Sequence, residues 1–243
     1  CEGAWRIVAP HDSPVRDAVR EFVRRDWDLR AELAYFQAFT RALESNTESS
    51  TSPMPGPGVD PALVPSPATQ WTVESGTVLG PDQPVTLAWD NGAGQVFRRT
   101  FALDDRYLFT VTQSVENTGP APFVAAPYGI LARHGQPDTQ NFFILHEGAV
   151  GMSDGQLLEA KYKDMAKFDA AGAEGPAEIT EVTENGWVGF TDKYWMTTLI
   201  PAPGQAFTSV VKYAPGADIY QAETRLPMQT VAPGTQLSSS SYL

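Results

Sequence analysis

The chain has 243 residues, 42% of them hydrophobic, and a formal net charge of −12. That composition can build a packed core and argues against wholesale disorder, while the acidic balance excludes the electrostatic footprint of a nucleic-acid or anionic-lipid binder. The lone cysteine, Cys1, excludes an internal disulfide framework and a cysteine-built zinc site, and three histidines argue against a histidine-rich metal centre. No run approaches the ~18 apolar residues of a membrane span. The chain opens on Cys and stops at Ser-Ser-Ser-Ser-Tyr-Leu, so both ends are expected to be cut from a longer protein.

From the N-terminus, Val15, Val19, Phe22, Leu29, Leu33, Phe36 and Leu43 recur at steps of three and four. With Ser13-Pro14 as cap and first turn, this spacing predicts one amphipathic helix over Pro14 to Leu43, within a segment 1–44. Residues 45–67, rich in Ser, Pro and Gly, are expected to form an irregular linker without packing of their own. From residue 68 the period changes to two. Phe97, Arg99, Phe101 and Leu103 alternate with Arg98 and Thr100, and Tyr107, Phe109, Val111 and Val115 alternate with Thr110, Thr112 and Ser114. Further on, Tyr194, Met196, Thr198 and Ile200 are expected to share one face, as are Phe207, Ser209, Val211 and Tyr213. Turn signals at Asp90-Asn91-Gly92, Asp104-Asp105, Asp154-Gly155, Asn185-Gly186 and Ala214-Pro215-Gly216 separate these runs. About ten strands in an all-β antiparallel sandwich over 68–243 are predicted. Gln156 to Phe168 fits a short helix or a strand plus loop equally. Gly92, Gly94, Gly119, Gly155 and Gly186 are expected mostly at positive φ.

Few residues carry chemistry. His134, and His146 beside Glu147, could do acid–base work on a sugar, but adjacent strand residues face opposite ways, so satisfied polar groups at strand ends are the better expectation. Asp104-Asp105 fits a hairpin turn better than a glycosidase pair, and Glu181 and Glu184 are no stronger. Arg98-Arg99 is a basic doublet with opposite facings, weak as an anion site. No nucleophile elbow, phosphate loop or calcium loop occurs, so no catalytic residue, cofactor or metal is expected. Trp187, Phe190, Tyr194 and Trp195 crowd one hairpin. Core packing accounts for them adequately, and a peptide or ligand groove at Trp187, Tyr194 and Trp195 is the sharper alternative.

Beyond these local signals, the motifs Pro84 to Gly94, Phe97 to Val111, Val115-Glu-Asn117, Pro127 to Gly135, Ile144 to Gly148 and Gly186 to Met196 follow one another in an order that resembles the large periplasmic domain of the YidC membrane-protein insertase family, over about 68–243. The resemblance implies a β-super-sandwich like that of galactose mutarotases, truncated here at its C-terminal end. It implies a non-catalytic domain on the periplasmic face of the bacterial inner membrane, in a parent that spans the membrane. The parent assists insertion and folding of nascent inner-membrane proteins as an insertase and chaperone, and contacts SecDF-type components of the Sec translocon. A mutarotase-like aldose epimerase and a carbohydrate-binding domain are the alternatives. Residues 1–60 depart from the pattern, as either an insertion or an out-of-frame translation.

Overall fold

A computed structural model describes residues 60–66, 69–106, 108–135, 146–192 and 195–243. The helix expected over Pro14 to Leu43 lies outside the described residues. In chain order the strands begin with β1 (Thr72–Ser75), β2 (Val85–Asp90), β3 (Gln95–Leu103), β4 (Phe109–Asn117) and β5 (Phe123–Ala125). β6 (Tyr128–His134), β7 (Gly148–Ser153) and β8 (Gln156–Lys161) follow, then a single helical turn, α1 (Tyr162–Met165). The remainder are β9 (Ala177–Val182), β10 (Gly186–Asp192), β11 (Trp195–Pro201), β12 (Phe207–Ala214), β13 (Ile219–Arg225), β14 (Gln229–Val231) and β15 (Thr235–Tyr242). No helix among the described residues is long and apolar enough to cross a membrane.

Nine strands form one sheet in the order β1-β2-β3-β4-β15-β11-β10-β7-β8, four form a second in the order β6-β13-β12-β9, and β14 pairs with β5. All the strand pairings are antiparallel. This is the all-β super-sandwich the sequence predicts, with more strands than expected because several span only three or four residues.

Period-two alternation builds the core. On β3 and β4, Phe101, Leu103, Phe109 and Val111 point inward and meet Leu131, Tyr220 and Ala222 from the smaller sheet. Tyr162 of α1 stacks on Phe190 at 5.9 Å and meets Tyr220 edge-on at 4.9 Å, so the helical turn plugs the layer between the sheets. A second, smaller cluster gathers Phe97, Val115, Phe123 and Val231. Trp71 packs against both clusters.

Several expectations are corrected. Val64, inside the stretch expected to be an unpacked linker, is only 5% exposed and belongs to the second cluster. Its anchor is local: the Asn91 side-chain amide donates to the Leu63 carbonyl at 2.9 Å, and Asp60 caps the turn by accepting from the Ala62 amide. A polar, proline-rich composition hides such an anchor because one apolar side chain suffices. On β11 the inward face is the other one. Thr197 and Leu199 are buried whereas Met196 is 44% exposed, because Leu199 lies opposite core Val188 in the register. Gln156 to Phe168 resolves as strand β8 followed by α1. As expected for most of the five glycines, Gly92, Gly94 and Gly155 have positive φ, while Gly119 and Gly186 do not. Gly186 is required for space instead: a Cβ there would meet the Met152 carbonyl oxygen at 2.6 Å.

Candidate functional site

The inward positions of β3 run Gln95, Phe97, Arg99, Phe101, Leu103. Four are buried and apolar or amide-bearing; Arg99 alone is half-buried and charged. It stands where the two apolar clusters part, opposite Gln113 in the β3–β4 register. There the surface opens into a cleft of about 590 Å³, part of it open solvent. Its apolar walls come from Val64, Trp71, Phe97, Val115 and Leu237, and Ala125 to Tyr128 close one side.

The Arg99 guanidinium lies 4.7 Å from the centre of the Trp71 ring, a cation–π contact. Gln113 donates its side-chain amide to the Tyr128 carbonyl at 2.9 Å, which fixes the rim. No hydrogen bond or ion pair joins Arg99 to any described residue. Burial pulls its guanidinium below the usual arginine range, and the neighbouring Tyr128 only partly opposes this. Its sequence neighbour Arg98 is the opposite case. On the outer face it meets both oxygens of Glu74 at 2.9 Å and Glu116 at 2.8 Å, which raise its pKa. The opposite facings of the doublet, readable from the sequence, therefore separate a neutralised cation from one that faces a cleft.

The other candidate residues lie elsewhere. Asp104 accepts from the Arg106 and Leu108 amides, both at 2.8 Å, as a turn residue does. The Glu181 side chain accepts from the Thr208 hydroxyl across two strands, and Glu184 is exposed. His134 is exposed at the end of β6, and the His146 ring pairs with the Ala149 carbonyl at 2.8 Å. Trp187 is half-buried in β10. Tyr194 lies outside the described residues, and of Trp195 the backbone alone is described, opposite Asp192.

One polar group was missed by sequence reading. Asp192 accepts from the Tyr162 hydroxyl at 3.0 Å and pairs with Arg133 at 3.1 Å. Burial raises the Asp192 pKa, the Arg133 charge and the Tyr162 hydrogen bond oppose the rise, and the charge of Glu147 adds to it. Burial likewise raises the Tyr162 pKa. Tyr162 is a ring of the main core, so this group ties α1 to β6 and β10. None of its members lines the cleft. Among the described residues no three His, Cys, Asp or Glu side chains are placed to hold a metal ion.

Known proteins place this geometry in context. Solved structures with a similar chain course include a galactose mutarotase related enzyme from Lactobacillus acidophilus, at 13% identity and a TM-score of 0.49 over 72% of this chain and 71% of that one. A galactose mutarotase-like protein from Clostridium acetobutylicum follows at 10% identity and 0.41, over 72% and 66%. Similarity in sequence is much higher elsewhere. The membrane protein insertase YidC of Paracoccus denitrificans is 76% identical over 190 residues, which are 78% of this chain and 30% of that protein. The insertase YidC of Jannaschia sp. is 62% identical over 175 residues, 71% and 28%. The chain thus spans under a third of the length of these relatives. The model of the YidC periplasmic domain matches residues 41–243, starting ahead of the point where the motifs alone become legible. The chain therefore belongs to the YidC periplasmic domain family.

Proposed function

We propose that this chain is a non-catalytic periplasmic domain of an inner-membrane insertase. It receives segments of nascent inner-membrane proteins, assists their folding as a chaperone does, and contacts the Sec translocon, while insertion itself belongs to parts of the parent that this chain does not include. Membership of the family supports the reading. The observation that supports a binding role is the cleft lining. It combines apolar walls with Arg99 facing inward, and Arg98, Gln113 and Ser114 also border it. Proton transfer at a sugar carbon needs an acid and a base within reach of one substrate. Here His134 and His146 are engaged or exposed outside that lining. The aromatic hairpin of Trp187, Tyr194 and Trp195 is a second proposed contact surface.

The test uses the full-length insertase that carries this domain, with a photo-crosslinking phenylalanine placed at Leu237 or at Trp187. A ribosome-stalled inner-membrane protein should crosslink at Leu237, and crosslinking to a Sec component is sought at Trp187. In parallel, the domain should leave the anomers of galactose interconverting at the buffer rate. Acceleration that disappears in His146→Ala would replace this reading with the epimerase one.

A further inference from the structure

We propose that the cleft is a carboxylate-binding site, in which Arg99 holds the carboxylate of a ligand whose apolar body lies against Trp71, Phe97 and Leu237. This rests on the cleft being open and charged, and it stands whether or not the insertase reading does.

The argument begins from the other cations. In a chain of net charge −12 carboxylates are plentiful, and the well-packed basic groups find them. Arg98 has Glu74 and Glu116, Arg133 has Asp192, and Lys212 and Arg225 share Glu174 and Glu223. Arg99 has none among the described residues, although it sits on an inward strand position where an unpaired charge is unfavourable. Arg99 stands between the two apolar clusters that Trp71 also touches, and it is only half-buried.

The geometry also selects the ligand. Trp71 lies against the guanidinium at 4.7 Å, and the N–H edge of a guanidinium makes the paired, parallel hydrogen bonds that a carboxylate accepts. One cation suits a monoanion. A phosphate dianion would call for a second cation, and Arg98 is already held by two carboxylates on the outer face of the sheet. The acidic surface repels polyanions as well. Val64, Trp71, Phe97 and Leu237 supply an apolar wall, so the group carrying the carboxylate is apolar.

Two sources share this chemistry: a peptide carboxylate beside an apolar side chain, and a fatty-acid carboxylate. The probes are therefore N-acetyl-leucine and octanoate, each against its neutral partner, N-acetyl-leucine amide and octanol. Binding to the full chain is followed by the indole N–H resonance of Trp71, assigned through Trp71→Phe. At least one carboxylate should shift it saturably, with its neutral partner about ten-fold weaker or worse. Arg99→Met should abolish that discrimination, so that acid and neutral partner bind alike, while Arg99→Lys keeps part of it. Whichever carboxylate binds more tightly identifies the source. Equal binding of acid and neutral partner to the unaltered chain would overturn the proposal. So would the absence of a saturable shift up to the solubility limit. Dispersed spectra of both Arg99 variants verify that they fold.

Discussion

Two regions of this domain hold buried or half-buried cations, and they treat them in opposite ways. On the outer face of the four-stranded sheet, Lys212 forms an ion pair with Glu223 at 2.7 Å and hydrogen-bonds Glu174 at 2.8 Å. Arg225 meets the same two carboxylates. Two positive and two negative charges form a closed, neutral set, with the Lys212 and Glu223 side chains only 5% and 2% exposed. Burial lowers the Arg225 pKa, but hydrogen bonds and charges from Glu174 and Glu223 outweigh it and hold the guanidinium above its ordinary range. On the inner face of the nine-stranded sheet, Arg99 has an aromatic ring and, among the described residues, no counter-charge, and burial moves its pKa down. The same residue type is neutralised where carboxylates of the described chain reach it, and faces a cleft where none of the described ones does.

The contrast can be broken at its strongest point first. Glu223→Ala leaves Lys212 and Arg225 sharing one carboxylate in a nearly dry site. Urea unfolding should report a loss of about 3–5 kcal/mol, the usual consequence of removing one member of a buried ion pair. A loss below about 1 kcal/mol would mean water compensates the set, and the two regions would no longer differ in kind. The second test removes both charges. The double variant Lys212→Met with Glu223→Leu should recover about 1–4 kcal/mol relative to Glu223→Ala, because the remaining Glu174–Arg225 pair is balanced.

Arg99→Met should behave in the opposite sense. It removes an uncompensated charge from between two apolar clusters, and the midpoint of thermal unfolding should stay level or rise, by no more than about 1 kcal/mol at the midpoint. A marked loss would show that the Trp71 contact is a pillar of the fold and would assign Arg99 to structure.

The contrast also predicts a pH dependence. Hydrogen bonding from Arg225 above all, with Lys212 adding to it against the opposing burial, lowers the Glu174 pKa to about 2. A carboxylate whose folded pKa lies below its unfolded value of about 4.3 stabilises the fold above that value, and the contribution fades as pH falls toward the folded pKa. Urea midpoints should therefore fall between about pH 5 and pH 2, and Glu174→Gln should flatten part of that slope. Asp154 adds to the remainder. It accepts from the backbone amides of Thr183, Glu184 and Asn185 and from the Thr183 hydroxyl, and these bonds hold its pKa well below the usual range. An equal slope in Glu174→Gln and the parent would remove Glu174 from this account.

Much of the fold was legible because strand alternation is a local property. Phe97, Phe101, Val111 and Val115 declare their face by spacing alone, and the Asp104 turn by its side-chain chemistry. The opposite facings of Arg98 and Arg99 followed from the same rule. What could not be read was partnership. Nothing in the sequence shows that Arg98 meets Glu74 while Arg99 does not, since Glu74 is 24 residues away. Gln221, Glu223 and Arg225 alternate with Tyr220, Ala222 and Thr224, and so look like the wet face of a strand. They are covered because the 3-10 turn Gly172–Glu174 folds over that face and brings Glu174 with it. The cleft depended on two further distant events, Trp71 reaching Arg99 and Val64 packing on Phe97. Neither leaves a periodic trace.

One element bears on how the domain is made. β15 pairs with β4 over eight residues, Thr235↔Asn117 to Tyr242↔Thr110, but with β11 through Ile200↔Tyr242 and Pro201↔Ser241 alone. Before β15 is in place, the four-stranded ribbon β1–β4 and the ribbon of β11, β10, β7 and β8 have no strand in common. During synthesis each ribbon can zip locally as it emerges, but the wide sheet exists only after residue 242 leaves the ribosome and closes a loop of more than a hundred residues. Until then β4 and β11 each expose an unpaired edge, the kind of surface that recruits foreign strands. Folding of this domain is therefore gated by its last strand, and its seam, two residue pairs wide, is where a pull along the chain would first part it.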